Sequence, residues 1–171
     1  YDEHRAAIVE AGGVHALLLL VDHHEEEPDV AANALWALSN LAWTADAQDQ
    51  IGKFMEKVVF LCQNLHAGVQ ENATLLLANI MYFHEGNRRR MIQAGGSKGG
   101  GLRILIKLCS SQNLAVLSSV CRCLGTAAHN DVNAIFIAEN GGVDLLVGLC
   151  GSTSHDVQKY AAWAIGNMAV H

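Results

Sequence analysis

Two Trp–Asn pairs, Trp36 with Asn40 and Trp163 with Asn167, are the side chains whose types and spacing best suit molecular recognition. In each pair the Trp precedes the Asn by four residues. On a helix this spacing places both side chains on one face, one turn apart. A carboxamide carries both a donor and an acceptor, so it can bond a peptide N–H and a peptide C=O together. A neighbouring indole can stack on an apolar stem or on a cation.

The sequence lacks the side-chain sets that catalysis or metal binding would need. It shows no Ser/His/Asp set and no carboxylate pair at a helical pocket. The Gly-rich stretch 95–101 does not have the residue order of a phosphate-binding loop. The stretch 23–27, HHEEE, matches no metal-ligand spacing and is typical of a solvated loop. We therefore predict that the protein is not an enzyme and that it has no cofactor and no metal site.

Three cysteines, Cys62, Cys109 and Cys150, recur at one position of a repeated pattern, where Val21 stands in the first copy. That equivalence predicts small core hydrophobes and not nucleophiles or ligands. The chain has five Cys in all, an odd number without paired spacing, which favours a reducing compartment. We expect a cytoplasmic location, with the nucleus as the alternative.

The Trp–Asn pairs lie in the first and last of four copies of an apolar segment. The first copy is 34–42, ALWALSNLA, and altered copies occupy 75–81, 122–128 and 161–169. A shorter apolar segment precedes each copy, at 14–21, 55–62, 102–109 and 143–150. Before it, at 5–11, 88–94 and 133–140, lies a further helical segment that ends at a Gly pair, which suits a helix C-cap. Each unit therefore reads as three helices in roughly 40 residues.

An Ala-Gly-Gly turn, an apolar helix and then the helix of 34–42 together closely resemble the armadillo repeat. The resemblance covers essentially the whole chain as four repeats, at approximately 1–47, 48–86, 87–131 and 132–171. It implies an all-α fold, a right-handed superhelical α-solenoid with three helices per repeat. No helix of such a repeat buries its apolar face alone, so stacking of the repeats would form one elongated core.

In armadillo proteins of the importin-alpha kind, a ladder of Asn side chains along the third helices clamps the backbone of an extended peptide. The third helices of this chain would line up along a concave groove, and we read them at steps of about four residues. The candidate groove residues are Asn33, Trp36, Asn40, Glu71, Asn79, Phe83, Arg122, Thr126, Lys159, Trp163 and Asn167. The residues that match the pattern of the family are Trp36, Asn40, Asn79, Trp163 and Asn167, whereas Leu75, Arg122 and Thr126 depart from it.

Other roles for these side chains stay open. The Asn residues could instead tie neighbouring repeats together by bonding a backbone group, because buried amides usually find internal partners. The two Trp residues could be half-buried packing. Charge along the groove is mixed, since Arg122 and Lys159 would repel a basic peptide while Glu71 favours a cation.

We predict a non-catalytic protein–protein interaction module, a scaffold or adaptor that holds an extended or helical segment of a partner protein in its concave groove. The first alternative is a structural segment of a large permanent assembly, and the second is an importin-alpha-like carrier of basic peptides. A net charge of -6 gives no footprint for duplex nucleic acid. No apolar run reaches the ~18 residues of a transmembrane helix, so we expect no direct membrane insertion.

Neither end of the sequence looks like the polar cap of a repeat array. The last helix carries an apolar stripe that includes Val157, Ile165 and Met168, and residues 6–9 are likewise apolar. We therefore expect a fragment of a longer armadillo array, whose end faces contact flanking repeats of its own longer chain or mediate self-association. The stretch 95–101 holds five Gly and is expected to form a mobile loop.

Overall fold

The computed structural model describes residues 2–23 and 27–170, and these residues form twelve α-helices and no strand. The helices are α1 (Asp2–Glu10), α2 (Gly13–His23), α3 (Pro28–Leu41), α4 (Ala45–Gly52), α5 (Met55–Leu61), α6 (Ala67–Met81), α7 (Glu85–Met91), α8 (Gly100–Leu108), α9 (Leu114–Ala127), α10 (Asp131–Glu139), α11 (Gly142–Leu149) and α12 (His155–Met168). The predicted all-α class is confirmed. His24, Glu25 and Glu26, which belong to the predicted solvated loop, lie outside the described residues.

The helices form four successive units of three: α1–α3, α4–α6, α7–α9 and α10–α12. Helix α4 begins at Ala45 and α7 at Glu85, so the predicted boundaries after residues 47 and 86 fall inside the first helix of a unit. The third helices α3, α6, α9 and α12 pack side by side in chain order, and their mutual contacts are the most extensive in the structure. Among the described residues, no single helix is long and apolar enough to cross a membrane, although two bent pairs, α1 with α2 and α10 with α11, pass by length and composition.

The core runs continuously through the stacked units. Each third helix buries apolar side chains at helical spacing, for example Leu35 and Leu38 on α3 and Leu76 and Leu77 on α6, all of which are fully buried. Burying such a side chain stabilises the fold by about 1.5–3 kcal/mol. Because these side chains contact both their own unit and the next, no unit buries its apolar surface alone.

The first helices of the second, third and fourth units begin at N-caps of different chemistry. The Oγ1 of Thr44 accepts from the N–H of Ala47, and the Nδ1 of His84 accepts from the N–H of Asn87. Asn130 caps α10 in the same way. Each cap satisfies a helix donor that has no intrahelical partner.

A row of buried carboxamides ties each of these first helices to the unit before it. Asn87 on α7 donates to the carbonyls of Gln48 at 2.9 Å and of Ile80 at 2.7 Å. Asn133 on α10 holds the equivalent place, three residues after its cap, and donates to the carbonyl of Arg88 at 2.8 Å. Both Asn side chains are fully buried. Since a buried polar group without a partner costs about 1–3 kcal/mol, these bonds fix how one unit sits on the next.

The Gly-rich stretch is shorter and better packed than the sequence predicts. Helix α8 already begins at Gly100, and only residues 95–98 are exposed. The N–H of Gly101 donates to the carbonyl of Ala94 at 2.7 Å. Gly99, with φ 76°, lies against the ring of Phe136, where a Cβ would approach the Cζ to 2.0 Å. Residues 99–101 are therefore part of the packed structure and not of a loop.

Replacing Asn87 with Ala should lower the free energy of unfolding by about 2–3 kcal/mol, because it leaves the carbonyls of Gln48 and Ile80 without their side-chain donor. The matched control is Asn33→Ala on α3, since the Asn33 side chain is exposed and makes no hydrogen bond within residues 2–23 and 27–170. That control should change stability by less than about 0.5 kcal/mol. Urea unfolding followed by circular dichroism measures both variants, and equal losses would show that the carboxamide row contributes nothing.

Replacing Gly52 with Ala should also destabilise the protein, by about 1–3 kcal/mol. A Cβ at Gly52 would lie 2.1 Å from the Oδ1 of Asn87, so the Asn87 side chain would have to move away from the carbonyls to which it donates. Gly148→Ala on α11 is the control, because a Cβ there meets no atom within 4 Å. In that open position Ala should stabilise the helix by about 0.5–1 kcal/mol. Thermal unfolding should therefore give shifts of opposite sign, and shifts of the same sign would contradict the packing described.

Candidate functional site

The side-by-side helices α3, α6, α9 and α12 form one surface, here called the third-helix groove. Four of the predicted groove residues are half-buried in it: Glu71, Arg122, Trp163 and Asn167. Those that are exposed are Asn33, Trp36, Asn40, Phe83 and Lys159. Those that are buried are Asn79 and Thr126. The predicted row is therefore not one uniform ladder.

Asn79 and Thr126 face the neighbouring helices and not the solvent. Asn79 is 4% exposed; its Nδ2 donates to the carbonyl of Ser39 at 2.8 Å, and its Oδ1 accepts from Arg122. Thr126 is 1% exposed and donates to the carbonyl of Arg122 at 2.9 Å. The prediction that these two side chains contact a ligand is corrected, because their hydrogen-bonding groups are used inside the protein.

A hydrogen bond from an Asn side chain to a backbone carbonyl of the preceding unit recurs along the groove. The Nδ2 of Asn167 donates to the carbonyl of Gly125 at 3.0 Å, one unit back, as Asn79 does to Ser39. The reading in which Asn residues join repeats therefore describes both side chains. The Oδ1 of Asn167 accepts no hydrogen bond within the described residues and stays available. The side chain of Asn40 is exposed and makes no hydrogen bond within the described residues.

The indole of Trp163 packs against Gly125 of the preceding unit. A Cβ at Gly125 would lie 2.7 Å from the Cε3 of Trp163, so only Gly leaves room for the indole at this distance. The ring of His129 lies 5.8 Å from that of Trp163. Trp163 is thus held between two units, with the rest of its ring directed to the groove.

A pocket of about 460 Å³ opens in the third-helix groove, and we call it the aromatic pocket. Its lining residues are Trp43, Tyr82, Arg122, Lys159, Tyr160 and Trp163. All four units contribute, since Trp43 follows α3, Tyr82 follows α6, Arg122 lies on α9 and the last three lie on α12.

Sequence reasoning identified three members of the pocket, Arg122, Lys159 and Trp163, and missed the other three. Trp43 follows Asn40 by three residues and Tyr82 follows Asn79 by three. Reading the residue three positions after Asn40 and after Asn79 would have identified Trp43 and Tyr82. The predicted Phe83 is instead 87% exposed, with φ 57°, and its ring lies 4.2 Å from that of Tyr82.

Two cations of the aromatic pocket lie beside aromatic rings. The guanidinium of Arg122 lies 5.8 Å from the ring centroid of Trp43, and the Nζ of Lys159 lies 4.8 Å from that of Tyr160. Neither Arg122 nor Lys159 forms an ion pair with a carboxylate within residues 2–23 and 27–170.

The arginines of α7 show the opposite situation. Arg88 and Arg89 each lie 3.0 Å from a carboxylate oxygen of Glu85. Burial raises the pKa of Glu85, but hydrogen bonds from Asn130, Arg88 and Arg89 outweigh that effect and hold the pKa below its ordinary value. Glu85 therefore offsets one of the three positive charges of this run, whereas no carboxylate pairs with the cations of the aromatic pocket within the described residues.

The cysteines offer no reactive thiol in the core. Burial raises the pKa of Cys62, Cys109 and Cys121 to about 12, so these thiols stay protonated. The predicted small core role fits Cys62 and Cys109, which are buried. It is wrong for Cys150, which is exposed because no described helix covers that end of α11.

Trp36 and Asn40 do not join the aromatic pocket. They line a separate apolar pocket of about 300 Å³ together with Ile8 of α1 and Leu17 of α2. Another apolar pocket, of about 290 Å³, lies at the opposite end of the stack, beside Ile135. Large apolar side chains are thus exposed at both ends of the described residues.

The chain matches the family model of the Armadillo/beta-catenin-like repeat at residues 2–43 and 130–170. A crystal structure of an engineered protein superposes with a TM-score of 0.88 at 31% identity, over 99% of this chain and 68% of the other. A second engineered protein gives a TM-score of 0.87 at 31% identity, over 99% of this chain and 40% of the other. No match was found among curated proteins.

A designed armadillo repeat protein in complex with the peptide (KR)4 is also similar, with a TM-score of 0.85 at 25% identity over 97% of this chain and 68% of the other. These matches, together with the twelve helices in units of three that the described residues form, define an α-solenoid of repeats, a class of protein-binding module. The chain belongs to the armadillo repeat family.

Replacing Gly125 with Ala should displace the indole of Trp163. In a background where Trp36 and Trp43 are replaced with Phe, Trp163 is the one remaining tryptophan. Its emission should then shift to longer wavelength and become easier to quench with acrylamide, because the ring leaves its half-buried place. Gly166→Ala, on α12 with Trp163, is the control, since a Cβ there meets no atom within 4 Å. An unchanged spectrum in Gly125→Ala would contradict the packing of Trp163 on Gly125.

Proposed function

We propose that this chain is a scaffold or adaptor module that binds an extended segment of a partner protein along the third-helix groove. The observation that carries the proposal is the aromatic pocket, whose lining consists of four aromatic rings and two cations and is built by all four units. Trp, Tyr and Arg are the residue types that most often dominate binding energy at protein interfaces. The likeness to a designed armadillo repeat protein in complex with a peptide supports peptide binding by this chain.

The groove also offers backbone recognition at one end of the pocket. The free Oδ1 of Asn167 can accept from a peptide N–H, and Lys159, four residues before Trp163, can contact a peptide carbonyl. An extended segment could therefore bond through its backbone while one side chain enters the aromatic pocket. Exposed Trp36 and Asn40, at the α3 end of the groove, would contact the same segment further along.

A carrier of basic peptides is the less favoured version of this proposal. Its Asn ladder is interrupted, because Asn79 is buried and Thr126 replaces an Asn. Arg122 and Lys159 line the pocket and would repel a basic side chain. A structural role in a larger assembly is the second candidate, and the exposed apolar pockets at both ends of the stack favour it.

We also propose a cytoplasmic location. The described cysteines are all free thiols, and most of them are buried. Free thiols persist in the reducing environment of the cytosol.

Selection of peptides from a random display library against the 171-residue chain tests the proposed function. The peptides that are enriched should bind Trp43→Ala about tenfold more weakly than the unchanged protein, because Trp43 is 48% exposed in the aromatic pocket and a hot-spot Trp contributes about 1–3 kcal/mol. Phe60→Ala is the matched control. Phe60 is a 65% exposed aromatic residue on α5, outside the third-helix groove.

Fluorescence anisotropy with labelled peptides measures the affinities, and thermal unfolding checks that both variants stay folded. Failure to enrich any peptide would count against the proposed function. Equal binding by Trp43→Ala and Phe60→Ala would move the binding surface away from the aromatic pocket.

A further inference from the structure

The aromatic pocket contains two positive charges that nothing in the described protein neutralises. Arg122 is half-buried, and its guanidinium donates to the neutral Oδ1 of Asn79. An Arg has five N–H donors, so most of those on Arg122 remain available on the pocket side. Lys159 is exposed and contacts the ring of Tyr160.

No described carboxylate on these helices forms an ion pair with Arg122 or Lys159, although Asp156 lies only three residues before Lys159. Glu71 is eight residues before Asn79, or about 12 Å along α6 at 1.5 Å per residue. Asp156 lies in the first turn of α12 and forms no ion pair with Lys159 within the described residues. His129 lies beside Trp163, and the lining itself also includes the phenols of Tyr82 and Tyr160. The lining of the pocket therefore carries two cations and no carboxylate, although the net charge of the chain is -6.

The pocket walls are aromatic, so they favour an apolar side chain. When such a side chain enters, it displaces water from Arg122 and Lys159. A cation that loses water without gaining an anion is strongly disfavoured. A basic ligand would add repulsion to that loss, whereas a neighbouring carboxylate would restore the lost interaction through charge-assisted hydrogen bonds.

An aromatic cage for a cation is the obvious alternative for four rings of this kind. Such cages bind ammonium groups through the negative faces of the rings. Here, Arg122 already lies over the ring of Trp43, and Lys159 over that of Tyr160. The faces of two rings are thus occupied by cations of the protein itself, which leaves the pocket suited to an anion.

We infer that the aromatic pocket recognises an apolar side chain flanked by a carboxylate, so that the partner segment is acidic at this point. This inference rests on the proposed function, because it assigns the chemistry of the ligand at the same surface. The apolar side chain would lie among Trp43, Tyr82 and Trp163, and the carboxylate would bond Arg122 and Lys159. A phosphorylated residue would offer the same anionic chemistry, and the test distinguishes the two sources.

Short fluorescein-labelled peptides with a central Phe are the probes. Four matched sets place Glu, Gln, Lys or phosphoserine on both sides of the Phe, and their affinities for the 171-residue chain are measured by anisotropy at several NaCl concentrations. The Glu set should bind about tenfold more tightly than the Gln set and more tightly than the Lys set, because two charges are each worth on the order of threefold in an exposed setting. The advantage of the Glu set over the Gln set should weaken as NaCl rises, whereas the affinity of the uncharged Gln set should change little.

Two variants assign that preference to the pocket. Lys159→Glu should remove it, and Arg122→Gln, which keeps a donor for Asn79, should reduce it severalfold. Lys107→Glu on α8 makes the same charge change at an exposed position outside the groove and should leave the preference unchanged. Thermal unfolding confirms that the variants are folded.

The outcomes separate this inference from the proposed function. If the Glu and Gln sets bind equally, and binding still requires Trp43, the groove binds peptides but the acidic preference is refuted. Tightest binding of the Lys set refutes it as well. If the phosphoserine set binds and the Glu set does not exceed the Gln set, the anion is a phosphate and the carboxylate assignment is overturned. If no set binds and library selection also yields no peptide, both the inference and the proposed function fail.

Discussion

The structure depends on side-chain amides that must find a partner once they are buried between two units. Apolar contacts between stacked helices are non-directional, so on their own they would allow one unit to slide or rotate on the next. The amides add direction. Asn79, Asn87, Asn133 and Asn167 each donate to a helix carbonyl of the preceding unit. Three of these acceptors, Ser39, Arg88 and Gly125, lie among the last four residues of their helices, where carbonyls have no intrahelical partner. Two of these ties lie on first helices and two on third helices, so they fix each unit on both sides of the core.

This use of Asn decides what remains for recognition. An amide that joins two repeats cannot also clamp a ligand with the same atoms, and Asn79 has both its donor and its acceptor occupied. The exposed chemistry of the groove therefore lies one turn further along, where Trp43 and Tyr82 stand edge to face with ring centroids 5.8 Å apart. Tight stacking also explains the small residues beside the ties, since Gly52 and Gly125 leave the space that Asn87 and Trp163 occupy.

The sequence was sufficient to predict the fold because the apolar pattern recurs in all four units and the Gly pair in three of them. It predicted the site only in part, for a geometric reason. Successive residues of a helix turn by about 100°, so two steps of four drift by about 80° around the axis, whereas a step of four and then of three returns to within about 20°. Reading in fours therefore selected Phe83 in place of Tyr82, and it passed over Trp43. The burial of Asn79 could not be read from spacing at all, because it depends on how closely α6 approaches α3 and α9.

Arg122 connects the ties to the aromatic pocket. Its guanidinium bonds Asn79, which is itself held by the carbonyl of Ser39, so the position of this cation is set by three consecutive units. A guanidinium that is fixed before a ligand arrives loses less rotamer entropy on binding than a free one. The fourth unit completes the pocket with Lys159, Tyr160 and Trp163. A ligand that contacts all four units can bind only when they are stacked in this register, and by linkage it must stabilise that stacking. The same amides that hold the repeats together therefore also preorganise the site at which the repeats meet a partner.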